Sequence, residues 1–413
     1  MSEAPVLFSG TTTLAAGTLH SLREESRTLS GLTFCHFTIA HTQLKSRSFH
    51  RICRPLSQRG IRVRYISPMT NAPSGNVDFI MIPRRRSHLA RVLRNWGLLR
   101  NLLEAEAHLY HFQDPELLPL ALALKVLFNR RVIYDAYEDF PSVARASRSV
   151  PQGLRGIFGS FVELAEQLAA RFLDGITTAD PFTLRRLGRA GRSRKLVFSN
   201  FPNLDFFPPP SGGYKLFDLV YRGGLSERAG TFDLLDAVQF LKLRSRSLRL
   251  LLIGYFDSPA AEGSLRRRVV ELGLAGSVEI KGRISHDEMA GALSQARIGV
   301  SPLRATEKFV LNVPVKVFEY WACGLPVIAS DLPPIRPYFR AARAGLLFSP
   351  GDSVGLASSI EWILDHPNAA ESMAQNGRAA VIERFNNRGE IRKLERFLAA
   401  LLNPPSPQLE SRP

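Results

Sequence analysis

The run Val313-Pro-Val-Lys-Val-Phe-Glu-Tyr-Trp-Ala-Cys-Gly-Leu-Pro-Val-Ile-Ala-Ser-Asp331 decides the fold of this 413-residue chain. Its pattern predicts a loop, a helix, a turn and a strand, in that order. Pro314 suits a first helical turn, where a missing N–H costs nothing. Gly324 supplies the stop, shortly before Pro326. Phe318, Trp321 and Ala322 lie three and four apart, so they share a face that can meet a sheet. Lys316 and Glu319 fall on a different face, near the helix N-terminus. That terminus favours anions, and a lysine there adds charge for a diphosphate. A carboxylate close by can accept hydrogen bonds from both hydroxyls of a ribose. Taken in isolation, the same two residues also read as an ordinary surface i,i+3 pair.

Outward from this run, short apolar stretches alternate with helical patterns. In the C-terminal half, strands are expected at Leu219–Tyr221, Leu248–Ile253, Val278–Ile280, Ile298–Pro302 and Val327–Ser330, with a helix at Thr231–Leu243. Before them, Asn203–Gly213 is a Pro/Gly-rich break containing Pro208, Pro209 and Pro210, a natural domain boundary. The N-terminal half repeats the alternation. Strands are expected at Leu32–Ile39, Arg62–Ser67, Leu109–Phe112, Arg131–Tyr134, Gly175–Thr178 and Leu196–Ser199, and helices at Phe49–Arg59 and Glu116–Phe128. Such alternation implies buried parallel sheets with helices on both faces. The expected architecture is α/β: two Rossmann-like doubly wound domains facing a cleft, with ligands beyond the carboxyl ends of the strands. The divisions are an extension at 1–30, a first domain at 31–205, a linker at 206–213, a second domain at 214–388, a helix at 389–402 crossing back, and a tail at 403–413.

Composition fits two globular domains: 45% hydrophobic and 22% charged residues leave little room for disorder outside the ends. Three cysteines, Cys35, Cys53 and Cys323, show no metal-type spacing and suit a reducing compartment. Residues 1–30 lack the order of a signal peptide. The longest apolar run, Leu117–Phe128, is shorter than the roughly 20 residues of a membrane span. The net charge of +17 points to an acidic partner: nucleic acid, an anionic membrane or phosphorylated small molecules. No zinc finger, RNA-binding aromatic motif or basic tail is present, so nucleic acid is not expected.

The stretch from Val313 resembles the donor-site segment of the family-four retaining glycosyltransferases of GT-B fold (glycosyl transferases group 1). The resemblance covers most of the chain. Tyr221-Arg-Gly-Gly-Leu-Ser-Glu-Arg-Ala-Gly230 resembles the family's loop after the first strand of the C-terminal domain. Lys281-Gly-Arg-Ile-Ser285 and the helix start Asp287-Glu288-Met289 resemble its base-binding region, and Asn200-Phe-Pro-Asn203 its linker entry. In the N-terminal half, Cys35-His36-Phe-Thr-Ile-Ala-His41 and Arg47-Ser-Phe-His50 resemble the acceptor-facing loop. His111-Phe-Gln-Asp-Pro115 and Tyr134-Asp-Ala-Tyr-Glu-Asp139 resemble two further cleft segments.

The resemblance implies an acceptor-side N-terminal domain and a nucleotide-sugar-binding C-terminal domain. Donor contacts would come from Gly223, Gly224, Arg228, Gly230, Gly282, Arg283, Lys316 and Glu319, with Glu319 on the ribose. His111, Gln113, Asp114, Tyr137 and Glu138 would be the catalytic positions, and His41 and Arg47 the acceptor-side ones. The implied enzyme is a metal-independent, hexosyltransferase-type retaining glycosyltransferase. It needs no cofactor, since the nucleotide-diphosphate sugar is a co-substrate. Fixed positive groups at the diphosphate would stabilise the charge left by sugar departure. Relatives usually carry arginine at Gly224, lysine or arginine at Ala229, and glutamate at Leu311; Arg228, Lys308 and Asn312 are candidate substitutes. Where relatives carry histidine, this chain has Gln113 and Tyr137.

Arg84–Trp96 is a second feature: Leu89, Val92, Leu93 and Trp96 form an apolar stripe beside arginines. An interfacial helix on an anionic membrane reads this way, and so does a core-packed surface helix. The expected acceptor is lipid-linked or a saccharide in surface-glycan biosynthesis, and the expected location cytoplasmic, peripheral on the inner membrane face. The alternatives are a catalytically impaired protein of the same fold that binds a nucleotide sugar or a partner transferase, and a nucleotide-sugar epimerase.

Overall fold

A computed structural model of the chain describes residues 29–403, except 30, 40–45, 70–74, 84–95, 146, 148–149, 189–192 and 210–212. The Arg84–Trp96 stripe, His41 and the tail from 404 therefore lie outside the described residues, apart from Trp96, which opens a helix.

The N-terminal lobe contains β1 (Thr33–Phe37), α1 (Arg54–Gln58), β2 (Arg62–Ser67), β3 (Val77–Met81), α2 (Trp96–Glu104), β4 (Leu109–Phe112), α3 (Leu118–Val126), β5 (Arg131–Ala136), α4 (Phe140–Arg145), α5 (Arg155–Phe172), β6 (Gly175–Thr178), α6 (Pro181–Gly188) and β7 (Arg194–Val197). The C-terminal lobe contains β8 (Phe217–Gly224), α7 (Thr231–Leu243), β9 (Leu250–Tyr255), α8 (Pro259–Glu271), β10 (Val278–Lys281), α9 (His286–Ser294), β11 (Ala296–Ser301), α10 (Val315–Ala322), β12 (Val327–Ser330), α11 (Arg336–Ala342), β13 (Gly345–Phe348), α12 (Ser353–Asp365) and α13 (Pro367–Glu383). Then α14 (Asn387–Leu402) returns to the first lobe.

The first sheet runs β3-β2-β1-β4-β5-β6-β7 and the second β10-β9-β8-β11-β12-β13, with every pairing parallel. Each order reverses once, between β1 and β4 and between β8 and β11. These are the switch points at which doubly wound sheets bind ligands. The two-lobed α/β architecture expected from the alternation is the one observed.

Three local differences have physical causes. The helix expected over Phe49–Arg59 begins as a π-helical stretch, Ser46–Cys53, and turns α-helical only at Arg54. Pro55 has no N–H for the carbonyl of Arg51, and its ring crowds that carbonyl. The Arg51 carbonyl accepts a hydrogen bond from Asn387 Nδ2 instead, at 3.1 Å. The strand expected at Leu196–Ser199 sits two residues earlier, because the Ser199 amide donates to Glu390 Oε2 of α14 at 2.7 Å rather than to the sheet. Before the proline run, Phe201 and Phe207 are already buried in the second lobe's core, with Phe318 and Trp321. On α14, Ile391, Leu394 and Leu398 pack among Phe34, Val63 and Phe198 of the first lobe. Among the described residues, no helix is long and apolar enough to cross a membrane.

Candidate active site

Lys316 and Glu319 stand on α10, whose Phe318, Trp321 and Ala322 are buried in the core as their spacing requires. The cap residue Pro314 has no side-chain acceptor; the Val317 amide donates to the Pro314 carbonyl at 3.2 Å, which leaves the Val315 and Lys316 amides for a ligand. Pro314, Val315 and Lys316 line a cavity of about 320 Å³ between the lobes. From the first lobe its wall includes Tyr137, Glu138, Asp180 and Asn200; from the second, Gly223, Gly224, Ser226, Arg228, Lys308 and Asn312.

Among the described residues, three cations reach this cavity. Arg228 pairs with Asp257 at 3.0 Å, and Lys308 bridges the lobes to Glu138 at 2.8 Å. Lys316 has no carboxylate within salt-bridge distance among the described residues; its ammonium lies over the Tyr221 ring, 4.1 Å from the centroid. Burial pushes it down from 10.5 to about 7, helped by Arg222 and opposed by Glu319. The wall's other carboxylate, Asp180, is spent on its own helix: its oxygens accept from the amides of Phe182 and Thr183 and from the Thr183 hydroxyl.

Glycines shape the loop between β8 and α7. Gly223 has φ +148°, and a Cβ there would stand 2.9 Å from Lys316 Nζ, so a side chain would displace the ammonium. Gly230, at φ +73°, precedes α7, and a Cβ would run into the Pro302 carbonyl. Gly224 faces only Tyr255 at ordinary contact distance, so an arginine would fit there on steric grounds.

Glu319 does not form a surface pair with Lys316. It is 1% exposed, with Arg222 Nη1 at 3.0 Å and Arg51 Nη2 of the first lobe at 3.6 Å. Gly282 and Arg283 do not line the cavity; the Arg283 guanidinium lies 4.4 Å from the ring centre of Tyr255, which does.

The N-terminal positions divide. Tyr137 and Glu138 reach the cavity, whereas His111, Gln113 and Asp114 are buried behind it. Asp114 accepts from Thr38 Oγ1 at 2.6 Å and the Ile39 amide at 2.8 Å. His111 meets His36 Nδ1 to Nδ1 at 2.8 Å, and burial lowers its pKa to about 4, so it is neutral at pH 7. Gln113 donates to Asp135 at 2.6 Å. Arg47, expected to face the acceptor, is instead buried, forked onto Asp135 at 2.6 and 2.8 Å and donating to the Phe198 carbonyl and Asn200 Oδ1. A guanidinium with all its nitrogens engaged holds the cleft wall rather than a sugar. Arg51, Arg222 and Asp135 were not singled out by sequence; their partners lie far along the chain, and no spacing rule joins them.

Comparison with known proteins fits this geometry. Residues 217–366 match the family model described as glycosyl transferases group 1. The chain is 25% identical to an alpha-D-kanosaminyltransferase of Streptomyces kanamyceticus, over 38% of this chain and 39% of that protein. It is 26% identical to the amylovoran biosynthesis glycosyltransferase AmsK of Erwinia amylovora, over 43% of each. The chain thus spans about two fifths of the length of the curated relatives it matches. Among solved structures, sucrose-phosphate synthase of Thermosynechococcus elongatus superposes with a TM-score of 0.71 at 21% identity, over 90% of this chain and 99% of that one. The Anabaena protein HepE, solved with UDP-glucose, superposes with a TM-score of 0.68 at 16% identity, over 89% and 100%. This chain has the GT-B fold, and its residues 217–366 match the family model of the glycosyl transferases group 1.

Proposed function

We propose that this chain is a retaining glycosyltransferase that binds a nucleotide-diphosphate sugar in the inter-lobe cavity and transfers the sugar to a lipid-linked or saccharide acceptor of surface-glycan biosynthesis. The observation that carries the reading is the convergence of Lys316, Arg228 and Lys308 on the uncapped first turn of α10. Fixed cations and amide dipoles there stabilise the negative charge that develops on the leaving diphosphate. They do so without a metal. Glu319 is the ribose ligand of this reading. Tyr137 and Glu138 face the transferred sugar, and the leaving phosphate takes the acceptor's proton. Burial pushes the Tyr137 phenol far above neutrality, so it orients by hydrogen bonds instead of acting as a base.

UDP, GDP and ADP with their sugars, screened by thermal shift, test the reading. One nucleotide series should raise Tm, since a ligand at 100 times its Kd stabilises by about 2.7 kcal/mol. Because HepE was solved with UDP-glucose, the uridine series is the expected responder. No shift with any series would overturn the donor assignment, and binding without transfer or donor hydrolysis would favour the impaired relative.

Lys316 adds a pH signature. With its folded pKa lowered to about 7, the cost of charging it in the free protein is fully present below pH 7 and relieved as pH rises toward 10.5. A diphosphate favours the charged form, so binding at pH 8 should take up close to one proton. Affinity should then fall as pH rises above 7. Calorimetry in buffers of different ionisation enthalpy would show this uptake, and Lys316→Ala should abolish it while weakening binding roughly tenfold near pH 6.5. Binding without proton uptake would remove Lys316 from the diphosphate.

A further inference from the structure

The 18-residue helix α5 is amphipathic in the reverse of the usual sense. Its inward face is made of small or paired residues: Gly159, Ala169, Ala170, and Glu166, which accepts from Tyr134 Oη at 2.7 Å and pairs with Arg186 at 2.7 Å. Its outward face carries Ile157, Phe158, Phe161, Leu164, Leu168 and Phe172 at helical spacing. All six are exposed, Ile157 at 68%, Phe161 at 65% and Leu164 at 55%. At about 1.5 Å per residue the stripe from Ile157 to Phe172 is roughly 23 Å long. Val126 and Leu127 at the end of α3 are exposed too, at 66% and 70%, and the neighbouring Lys125 pairs with Asp174, two residues past α5, at 2.6 Å. A soluble surface does not leave so long an apolar row uncovered without a partner.

Charge identifies the partner. The helix's two glutamates are turned away from the row: Glu166 is buried, and Glu163 is held by Arg145 at 3.1 Å. The charged residue left exposed beside the row is Arg171. On a chain of net charge +17, a second copy meets repulsion, whereas an anionic surface is attracted.

We propose that the outward face of α5, with the end of α3, docks the protein on an anionic lipid membrane, the helix lying in the interface plane with its aromatic and aliphatic side chains among the acyl chains. The placement suits the cavity. Tyr137 and Glu138 line it, α4 starts two residues later, and α4 packs on α5 where Gly159 leaves room for the Arg145 side chain. The proposal concerns where the chain sits and does not depend on the transfer reaction.

The test uses the full chain and vesicles of phosphatidylcholine alone or mixed with phosphatidylglycerol. Sedimentation should show binding to the mixed vesicles and little to the neutral ones. The triple substitution Phe161→Ser, Leu164→Ser, Leu168→Ser should weaken that binding by roughly tenfold or more. All three positions are exposed, so the variant should keep its Tm and its nucleotide shift, which separates this result from failure of the donor site. A second readout needs no loss of side chains. Cys35, Cys53 and Cys323 are buried, so Ser160→Cys on the exposed side of α5 can carry an environment-sensitive fluorophore. Its emission should shift to the blue on mixed vesicles. The proposal is overturned if the triple variant binds like wild type, if wild type binds neither vesicle, if the fluorophore stays in water, or if wild type is a dimer that the triple variant makes monomeric.

Discussion

Glu319→Ala should cost about 3–5 kcal/mol of stability, the range for removing one partner of a buried ion pair. The carboxylate is 1% exposed and stands between Arg222 of its own lobe and Arg51 of the other. Arg51 is buried as well; burial pushes its pKa down to about 10, with Arg222 and Arg47 acting in the same sense and Glu319 alone opposing. Without Glu319, Arg51 loses the carboxylate that stands 3.6 Å from it, while Arg222 and Arg47 still act on it. Urea unfolding measures the loss, and a cycle with Arg51→Ala assigns it, because the double variant should recover part of the stability. A loss below about 1 kcal/mol would show that water reaches the pair and screens it. Glu319→Gln separates the structural role from ribose binding. The amide keeps an acceptor oxygen for a hydroxyl but cannot neutralise two guanidiniums. If Glu319 holds the ribose, Glu319→Gln should retain much of the nucleotide affinity while losing stability, and Glu319→Ala should lose both. Full affinity in a folded Glu319→Ala would remove the ribose assignment.

The same residue shows how far sequence carries. Its helix was legible because everything that makes α10 is local: a proline that can start a helix, apolar side chains at helical spacing, and a glycine stop. Strands β2, β4, β6 and β12 and helix α7 were legible with their observed ends for the same reason, an apolar run bounded by turn residues. Its partner Arg51 was not legible, because it comes from the other lobe by way of a helix that Pro55 distorts. Helix α5 was missed for a different reason. Its apolar stripe is periodic, but periodicity says only that one face is apolar, and here that face points outward. Edge strand β3 is half-exposed and carries Asp78, so it lacks the continuous apolar run that marks a buried parallel strand; β13, Gly345-Leu-Leu-Phe348, has such a run and was passed over. The chemistry of the cleft was readable as residue types, while the split between cavity wall and buried support was not. Tyr137 and Glu138 reach the cavity, whereas Gln113 and Arg47 are held behind it by Asp135, which lies 88 residues from Arg47.

That support is itself testable, through Arg47→Met. Asp135 is fully buried, and it accepts from Arg47 Nε and Nη2, from Gln113 Nε2 at 2.6 Å and from Thr177 Oγ1 at 2.8 Å. Burial alone would raise its pKa; the charge and hydrogen bonds of Arg47 overcome this, with His111 and Gln113 helping, and bring it from 3.8 down to about 2. Methionine matches much of the arginine stem but supplies neither charge nor fork. The variant should lose about 3–5 kcal/mol at pH 7, because a buried carboxylate is left without its counter-ion. The pH dependence has a defined sign. In wild type the folded pKa lies below the unfolded one, so the pair's contribution is present above pH 3.8 and is lost as pH falls through about 2. In Arg47→Met, the unpaired Asp135 should titrate above 3.8, so its penalty shrinks as acid protonates it. The stability gap between the two proteins should therefore narrow as pH falls from 5 toward 2, and denaturant melts across that range would show it. The nucleotide site should feel the change as well. Arg47 also fixes Asn200, which lines the cavity, so weaker donor binding should accompany the loss of stability. Arg47→Lys should restore charge but not the two-point fork, and is expected to fall between wild type and Arg47→Met. A gap that stays constant with pH would mean that Asp135 is ionised through some other partner. A variant that weakens acceptor use while leaving stability and donor affinity intact would return Arg47 to the acceptor side of the cleft.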